Sequence, residues 1–418
     1  MTLLPLALKS LRNRRFAALL TIATIACSVA LLLGVERVRD EARRSFASTV
    51  SGTDLIVGAR TGPVNLLLYA VFHLGEANAA VSWASYQELT SQPEVAWSVP
   101  LSLGDSHRGF RVVGTTADFF THYRYGAQHP LEFATGDAFA DLYDAVIGAD
   151  VADKLGYTPG ASIVLAHGIG SLAEQHADKP FRVVGVLARS GTPVDASVFI
   201  GLPAVEALHA DWQSGTHLPQ LAVSADAARQ LDLTPKSVSA ILVGLKSRAA
   251  AFALKRRIDD YRAEPLLAIM PGVTLQELWQ LVGGAENALR ATSALVVVAG
   301  LLGMLTALVT TLNERRREMA VLRALGAPAR TVFGLMLLEA LLLTAGGAAL
   351  GVLLLGLALV AGSDFAAAHY GLNLTRTDVS AHELALLAAV LVGGLAAGAI
   401  PAALAYRRAL ADGLSLRW

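Results

Sequence analysis

Two things that a soluble, disulfide-stabilised protein needs are scarce in this sequence: charged residues and cysteines. Only 16% of the 418 residues are charged and 54% are hydrophobic, whereas about a quarter of an average soluble protein is charged. The single cysteine, Cys27, excludes an intramolecular disulfide, so any folded domain must be held together by ordinary burial. The formal net charge is +0 at pH 7, and nothing in it favours a nucleic-acid partner.

The sequence motifs of an enzyme are also missing. A phosphate-binding loop needs two framing glycines before Lys and Ser or Thr, and the nearest match, Gly244-Leu245-Lys246-Ser247, lacks that framing. No nucleophile–base pair of known spacing occurs, so the sequence predicts no catalytic residue and no cofactor on this chain. Eight of the ten histidines lie between the first two apolar runs, but their spacing shows no tight ligand pair. The sequence therefore predicts no metal site.

Long apolar runs are abundant instead, and they predict four membrane spans. Residues 16–35 form 20 residues without a charge, enough for a helix of roughly 30 Å. A cleavable signal peptide is the alternative, but its apolar part would be shorter, about 7–15 residues. Here the run continues into the charged stretch Glu36-Arg37-Val38-Arg39-Asp40-Glu41. Further apolar runs follow at 288–312, 331–361 and 383–405.

Between the first two runs, the composition becomes that of a globular domain. Strand-like segments bounded by turn residues alternate with helical patterns, which predicts a mixed α/β domain, in two lobes by its size. The strands are predicted at 110–114, 144–148, 162–166, 181–187, 197–201 and 238–245, and helices at 83–91, 150–155 and 248–261.

Basic residues predict the orientation of the chain in the membrane. Lys and Arg cluster before the first run, between the second and third runs, and after the fourth. By contrast, Arg376 is the only Lys or Arg residue in the sequence from 362 to 382. With four spans all the clusters fall on one side, so both termini are expected to be cytoplasmic. The large domain is then expected on the opposite, extracytoplasmic side of the membrane.

The segment 313–338 reads NERRREMAVLRALGAPARTVFGLMLL. On its own it is a short amphipathic connector that Gly326 and Pro328 end before the third span. It resembles the signature of MacB/FtsX-type permeases, in which a basic RRREIAVLRALGA run precedes a LLEALLLGLLGG helix. The N-terminal segment 7–15 and phrases such as Val112-Val113-Gly114-Thr115 also resemble the family, so the likeness covers nearly the whole chain in order.

The resemblance implies that this connector is the coupling helix, which docks into a partner ATPase. The residues carried over to this role are Arg317, Glu318, Met319, Val321, Leu322, Arg323, Leu325 and Gly326. ATP and Mg would then be bound by the partner ATPase, and a second copy of the chain is expected against an ATPase dimer. A domain of this size resembles the MacB or lipoprotein-release type, in which two stalk helices carry the outer domain.

The domain organisation expected on these grounds has nine parts. They are a cytoplasmic amphipathic helix at 1–15, the first span at 16–35, the periplasmic α/β domain at 36–287 with stalk helices at 36–50 and 274–287, the second span at 288–312, the coupling helix at 313–330, the third span at 331–361, a short periplasmic loop at 362–382, the fourth span at 383–405 and a cytoplasmic tail at 406–418.

Two weaker signals have two interpretations each. The apolar stretch that contains Leu66, Leu67, Leu68, Tyr69 and Phe72 is either a buried core helix or an exposed flap that contacts cargo or lipid. Glu339 lies inside the third span, where a charge is costly unless it is paired. It either snorkels or pairs within the helix bundle, or it takes part in coupling.

The function expected from these features is mechanotransmission: ATP hydrolysis by a separate ATPase moves the periplasmic domain and drives export of a periplasmic substrate or extraction of a lipoprotein. The alternative is a non-transporting, FtsX-like regulator of a periplasmic enzyme. A stand-alone secondary transporter is disfavoured, since intramembrane charges other than Glu339 are nearly absent. The outer partner is expected to be an adaptor, a lipoprotein or an enzyme.

Overall fold

The structure, a computed structural model, describes residues 3–49, 51–75, 79–168, 174–176, 178–210, 212–213, 216–217, 223–312, 321, 324, 326–370 and 380–411. The chain divides into two compact units. A helical unit draws on both ends of the chain, and an α/β unit is built from Ala42–Val282.

Among the residues that the structure describes, four helices are long and apolar enough to cross a membrane. We name them spans 1 to 4; they are Arg15–Ser48, Pro271–Thr310, Ala329–Tyr370 and Ala381–Ala411. A shorter amphipathic helix, Leu3–Asn13, precedes span 1. The four predicted spans are therefore confirmed, and each helix is longer than the apolar run that predicted it. Residues 36–48 belong to the span 1 helix and residues 274–287 to the span 2 helix.

Small residues allow the spans to approach one another closely. A Cβ atom added to Gly347 of span 3 would lie 2.6 Å from Cβ of Ile25 in span 1, and one added to Gly351 would lie 2.7 Å from the carbonyl oxygen of Ala26. Such contacts suit helices in lipid, where close packing replaces the hydrophobic drive. A Cβ atom added to Gly356, on the same helix, would meet no atom of another helix within 4 Å.

The α/β unit is organised around one mixed sheet. Its main strands are β1 Leu55–Ala59, β3 Val95–His107, β4 Phe110–Thr115, β7 Phe133–Gly136, β8 Asp144–Ile147, β12 Phe181–Leu187, β13 Ser197–Gly201, β17 Ala240–Leu245 and β18 Leu266–Ile269. They are arranged in the order β18-β1-β17-β3-β4-β13-β8-β12-β7. Shorter strands are β2 Val81–Ser82, β5 Arg124–Tyr125, β6 His129–Pro130, β9 Ser162–Ile163, β10 Ala166–His167, β11 Glu174–Gln175, β14 Trp212–Gln213, β15 Thr216–His217 and β16 Ser237–Val238.

Most strand pairs are antiparallel, and β4–β13 and β8–β12 are parallel. Helices cover the sheet at Pro63–Phe72, Trp83–Thr90, Asp118–His122, Ala149–Leu155, Leu202–Leu208, Ala225–Ala228 and Ala251–Asp259. The long strand β3 pairs with β17 through its first half and with β4 through its second half, so it joins the two ends of the sheet. The mixed α/β domain between the first two spans is confirmed.

Candidate functional site

A cluster of ion pairs connects spans 1, 2 and 4. The carboxylate of Glu36 in span 1 accepts a hydrogen bond from Nε of Arg290 in span 2 at 2.8 Å, and Nη2 of Arg39 lies 2.8 Å from its second oxygen. The Glu36 side chain is only 6% exposed. Because a buried carboxylate is costly unless its oxygens are paired, this arrangement fixes span 1 against span 2 at this level.

Span 4 is attached to span 1 in the same way. Nε of Arg37 lies 2.6 Å from Oε1 of Glu383, and its Nη2 donates to Oε2 at 3.2 Å. Glu383 also accepts from the backbone N–H of Ser380 at 3.0 Å, while the Ser380 hydroxyl accepts from the Glu383 N–H at 3.1 Å. This reciprocal pair is a capping box, and it holds the Glu383 side chain where Arg37 can reach it.

Aromatic contacts hold the ends of the two stalk segments within the α/β unit. The ring of Phe46 lies 5.5 Å from that of Trp279 in edge-on contact, and the guanidinium of Arg43 lies 5.4 Å above Trp279. Phe46 also packs at 4.6 Å against Phe72, the last residue of helix Pro63–Phe72. The stalk residue Phe46 is therefore attached directly to the hydrophobic core of the sheet.

Helix Pro63–Phe72 is a core helix, which corrects the exposed-flap interpretation of its apolar residues. Leu66 and Tyr69 are 0% and 1% exposed, Leu67 is 1% exposed and Phe72 is 7% exposed. Leu68 is half-buried and packs against the same core. The helix has apolar side chains on all sides because the sheet and the stalk cover it from different directions. Leu66, Leu67, Tyr69 and Phe72 are therefore core residues rather than an exposed contact surface.

Most residues of the predicted coupling helix fall outside the described part of the chain: Arg317, Glu318, Met319, Leu322, Arg323 and Leu325. Two are described. Val321 is 57% exposed, and Gly326 has a φ of +91°, the left-handed region that glycine tolerates best. Span 3 begins at Ala329, directly after Pro328.

Glu339 lies in the interior of the helical unit with 0% of its surface exposed. Its neighbours along span 3, Met336, Ala340 and Leu343, are buried as well. A side chain that snorkels would keep its carboxylate at the edge of the bundle, so the snorkelling interpretation is wrong. Whether Glu339 takes part in coupling stays a prediction.

Three histidines and an aspartate that are far apart in the sequence meet in the α/β unit. Nδ1 of His167 lies 3.2 Å from Oδ1 of Asp105 and 3.0 Å from Nε2 of His209. With His176, these residues place four ligand atoms within 4.8 Å of one another. Asp105 lies near the end of β3 and pairs in register with His167 of β10, and His209 directly follows helix Leu202–Leu208.

Burial and the mutual charges of this cluster shift its pKa values. Burial lowers the pKa of His176 to about 4, against the opposing charge of Asp105, so its imidazole is neutral. Burial opposes ionisation of Asp105, yet hydrogen bonds from His167 and His209 hold its pKa below the usual range. Burial alone would lower the pKa of His209, but the hydrogen bond and the charge of Asp105 outweigh burial and raise it.

Neither the ion-pair cluster nor the histidine cluster was found from the sequence. The charged residues 36–41 predicted a helical continuation, and a search for opposite charges at the ends of the other apolar runs would have pointed to Arg290 and Glu383. The histidine cluster gave no local signal, because its consecutive members are separated by 9 to 62 residues along the chain and only the tertiary fold brings them together.

Four membrane-spanning helices and a large α/β domain inserted between the first two define a multi-pass membrane protein with one extramembranous domain. The family model of the MacB-like periplasmic core domain matches residues 18–261, and that of the FtsX-like permease C-terminal domain matches residues 290–412. The chain therefore belongs to the MacB/FtsX-type family of ABC transporter permeases.

Curated relatives agree with that family. The chain is 24% identical over 364 residues to the macrolide export ATP-binding/permease protein MacB of Azoarcus sp. (strain BH72), an alignment that covers 83% of this chain and 50% of that protein. It is 24% identical over 409 residues to the pyoverdine export ATP-binding/permease protein PvdT of Pseudomonas fluorescens (strain Pf0-1), covering 94% of this chain and 56% of that protein. The chain thus spans about half the length of the curated relatives that it matches.

Two solved structures are also similar to parts of the chain. The periplasmic region of MacB from Actinobacillus actinomycetemcomitans matches with a TM-score of 0.33 and 10% identity, covering 55% of this chain and 94% of that one. The extracellular domain of the noncanonic ABC-type transporter YknZ from Gram-positive bacteria matches with a TM-score of 0.31 and 14% identity, covering 52% of this chain and 98% of that one.

Proposed function

We propose that this chain is a permease subunit that relays force: a partner ATPase hydrolyses ATP, and the resulting movement of the spans changes the arrangement of the α/β domain on the other side of the membrane. The work done there is export of a periplasmic substrate or extraction of a lipoprotein. The observation that carries the proposal is helical continuity, since the helices of spans 1 and 2 extend to Ser48 and begin at Pro271, within the α/β unit.

The ion pairs and aromatic contacts support such a relay. A helix transmits displacement along its axis only if it is held at both ends, because a loosely held helix would rotate or slide instead. The Glu36–Arg290 pair holds spans 1 and 2 together. Within the α/β unit, Phe46 packs on Phe72 and so attaches the end of the span 1 helix to the domain core.

The orientation proposed for the chain places both termini in the cytoplasm and the α/β domain in the periplasm, across a bacterial inner membrane. Support comes from the basic clusters, which all fall on one side when there are four spans. A reporter fused after Trp418 is expected to behave as cytoplasmic and one inserted near Ala173 as extracytoplasmic. The reverse pattern would refute the orientation.

The partner is proposed to be an ABC ATPase that docks on the coupling helix at 313–330. The names of the curated relatives combine an ATP-binding and a permease function, which supports a partnership of these two activities here. A second copy of the chain is proposed as well. Large apolar side chains cover the outside of the spans, among them Leu295, Leu353 and Val392 at 67%, 59% and 64% exposure, and these suit lipid and a second bundle.

Leu322→Asp tests the coupling role, because a charge in the apolar face of the coupling helix should prevent docking. We expect the variant to insert normally and to lose stimulation of the ATPase. Leu74→Asp, the same change at a leucine of the α/β unit that is 56% exposed, is the matched control and should retain it. Normal ATPase coupling in the Leu322→Asp variant would contradict the docking role.

The same ATPase assay, together with a deletion strain, distinguishes a transporter from a regulator. ATP turnover that rises with an added cargo supports transport. Loss of a periplasmic hydrolase activity in a deletion strain, with no cargo effect on turnover, would favour the FtsX-like regulator instead.

A further inference from the structure

We propose that Asp105, His167, His176 and His209 form a binding site for a single zinc ion in the α/β unit. Their ligand atoms all lie within 4.8 Å of one another. Three imidazole nitrogens and one carboxylate oxygen are a donor set that Zn²⁺ accepts in a four-coordinate, tetrahedral arrangement.

The recorded distances match such a tetrahedron. Zinc–nitrogen bonds of 2.0–2.1 Å place neighbouring ligand atoms about 3.3 Å apart at the corners of a tetrahedron. The separations are 3.0 Å between His167 Nδ1 and His209 Nε2, 3.2 Å between His167 Nδ1 and Asp105 Oδ1, and 3.5 Å between His209 Nε2 and Asp105 Oδ1. A single ion placed between His167 Nδ1, His209 Nε2 and Asp105 Oδ1 could therefore bind all three atoms.

His209 is held in the orientation that a ligand needs. Its Nδ1 lies 2.8 Å from the carbonyl oxygen of Val205. A carbonyl oxygen can only accept, so Nδ1 is the nitrogen that donates a proton, and Nε2 is directed at Asp105 and His167. Metal-binding histidines commonly donate their second N–H to a backbone carbonyl in this way, which fixes the tautomer and the ring.

Exposure gives the ion a route into the site. The Asp105 side chain is 5% exposed and His176 is 3% exposed, whereas the His167 and His209 side chains are 43% and 27% exposed. The Asp105 carboxylate and the His176 imidazole thus form the buried side of the site. The imidazoles of His167 and His209 form its exposed side. The ammonium of Lys179 lies near His176 but is paired with Asp178 at 3.0 Å, which reduces its repulsion of a cation.

The ion would join three segments that strand pairing alone connects weakly. These are the end of β3, the β10–β11 pair and the residue that follows helix Leu202–Leu208. β10 and β11 have two residues each, so their hydrogen bonds hold little structure by themselves. Zinc binding should therefore order the β10–β11 pair and strengthen its attachment to the helix.

The test uses the full-length chain in detergent micelles, purified with a tag that contains no histidine and stripped of metal with a chelator. Zn²⁺ alone is the probe: equilibrium dialysis against a competing chelator, followed by elemental analysis, measures stoichiometry and affinity. We expect one zinc per chain. Substitution by Co²⁺ should give the intense visible absorption of a tetrahedral ion, and zinc should slow amide hydrogen exchange in β10 and β11.

His209→Gln is expected to weaken zinc binding by more than about 100-fold, since it removes a direct ligand. Asp105→Asn should weaken it as well. His129→Gln, at an exposed histidine of the same unit, is the matched control and should bind like the wild type. Absence of zinc from the wild-type chain would overturn the proposal, and so would binding that His209→Gln and His129→Gln leave equally unchanged. If the Asp105→Asn variant does not fold, the zinc stoichiometry of the wild type and the comparison of His209→Gln with His129→Gln still test the proposal.

Discussion

The guanidinium of Arg290 and the carboxylate of Glu36 form a 2.8 Å hydrogen-bonded ion pair between spans 1 and 2. Arg39 supplies a second guanidinium to the same carboxylate, and Nε2 of His382 lies 3.8 Å from it. One nearly buried acidic side chain thus collects basic groups from three different segments of the helical unit. Any displacement of one span at this level must either carry the others with it or break the cluster.

Glu36→Gln removes the charge at the centre of this cluster while keeping its size. We expect the helical unit to lose about 1.5–3 kcal/mol of stability, because hydrogen bonds to charged groups contribute about this much. Thermal unfolding of the full-length chain in detergent would measure the loss. Asp141→Asn, which breaks the exposed Arg229–Asp141 pair of the α/β unit, is the control and should change little. Equal effects of the two variants would contradict a special role for Glu36.

Gly347→Ala should disturb the packing of span 3 on span 1. The added methyl carbon would lie 2.6 Å from Cβ of Ile25, which is closer than two such carbons ever come. Overpacking of this kind costs about 1–3 kcal/mol. Gly356→Ala on the same helix has open space at that position and should be neutral. Melting temperatures of the two variants in the same detergent check the contrast, and a neutral Gly347→Ala would contradict the close approach.

Phe46→Ala should loosen the attachment of the span 1 helix to the core of the α/β unit. It removes contacts with Phe72 and Trp279, and removing a packed phenylalanine costs about 3 kcal/mol. Hydrogen exchange should rise in helix Pro63–Phe72 and around Trp279. Phe252→Ala, at a ring that is 70% exposed, should leave exchange there unchanged. Unaltered protection in Phe46→Ala would show that the stalk is held elsewhere.

His73 should make the α/β unit less stable in acid. Its ring is buried beside Arg111, and burial lowers its pKa to about 4 in the folded state, against 6.5 in the unfolded chain. Between these two values the unfolded chain binds a proton that the folded chain does not, so stability falls as the pH drops from about 6.5 to about 4. The contribution of this residue is at most about 3 kcal/mol.

His73→Asn tests this pH dependence. Asparagine does not titrate, and it tolerates the positive φ of 53° at this position. We expect the unfolding free energy of the variant, measured by pulse proteolysis of the full-length chain, to fall less steeply than that of the wild type between pH 6.5 and pH 4. Parallel curves would contradict the buried, neutral state of His73.

The secondary structure was largely predictable where local pattern and packing agree. The strand predicted at 197–201 is β13, and the one predicted at 181–187 is β12, residue for residue. These are apolar runs bounded by turn residues, and the central strands of a sheet need just that pattern. The strand predicted at 162–166 is instead split into β9 and β10, which pair with different partners, β12 and β3.

Strand β3 was not predicted, because Pro100 and Gly104 interrupt it and both residues weaken a strand pattern. The structure accommodates Gly104 where the pairing with β4 shifts register, between Leu103 and Ser106.

The apolar helix Pro63–Phe72 shows a different limit of prediction from sequence. Its sequence showed that it was hydrophobic on all sides, but only the tertiary contacts of Phe46 and the sheet decide that every side is covered.

The ion-pair cluster and the histidine cluster share one reason for escaping sequence analysis. Their members come from segments that are distant along the chain, such as Glu36 and Arg290, and neither cluster has a local spacing rule. By contrast, the spans were predictable because a bilayer imposes a length and a composition on each helix independently.

If ATP moves the α/β domain, the distance between the domains of two copies of the chain should change when ATP is bound. A spin label at Ala127→Cys, an exposed position in the turn between β5 and β6, would be introduced in a Cys27→Ser background, and the distance between the labels of two copies recorded in nanodiscs with the partner ATPase. We expect the distance distribution to shift when ATP is bound, and we expect Leu322→Asp to abolish the shift. An unchanged distribution while the wild-type complex hydrolyses ATP would contradict the proposed movement.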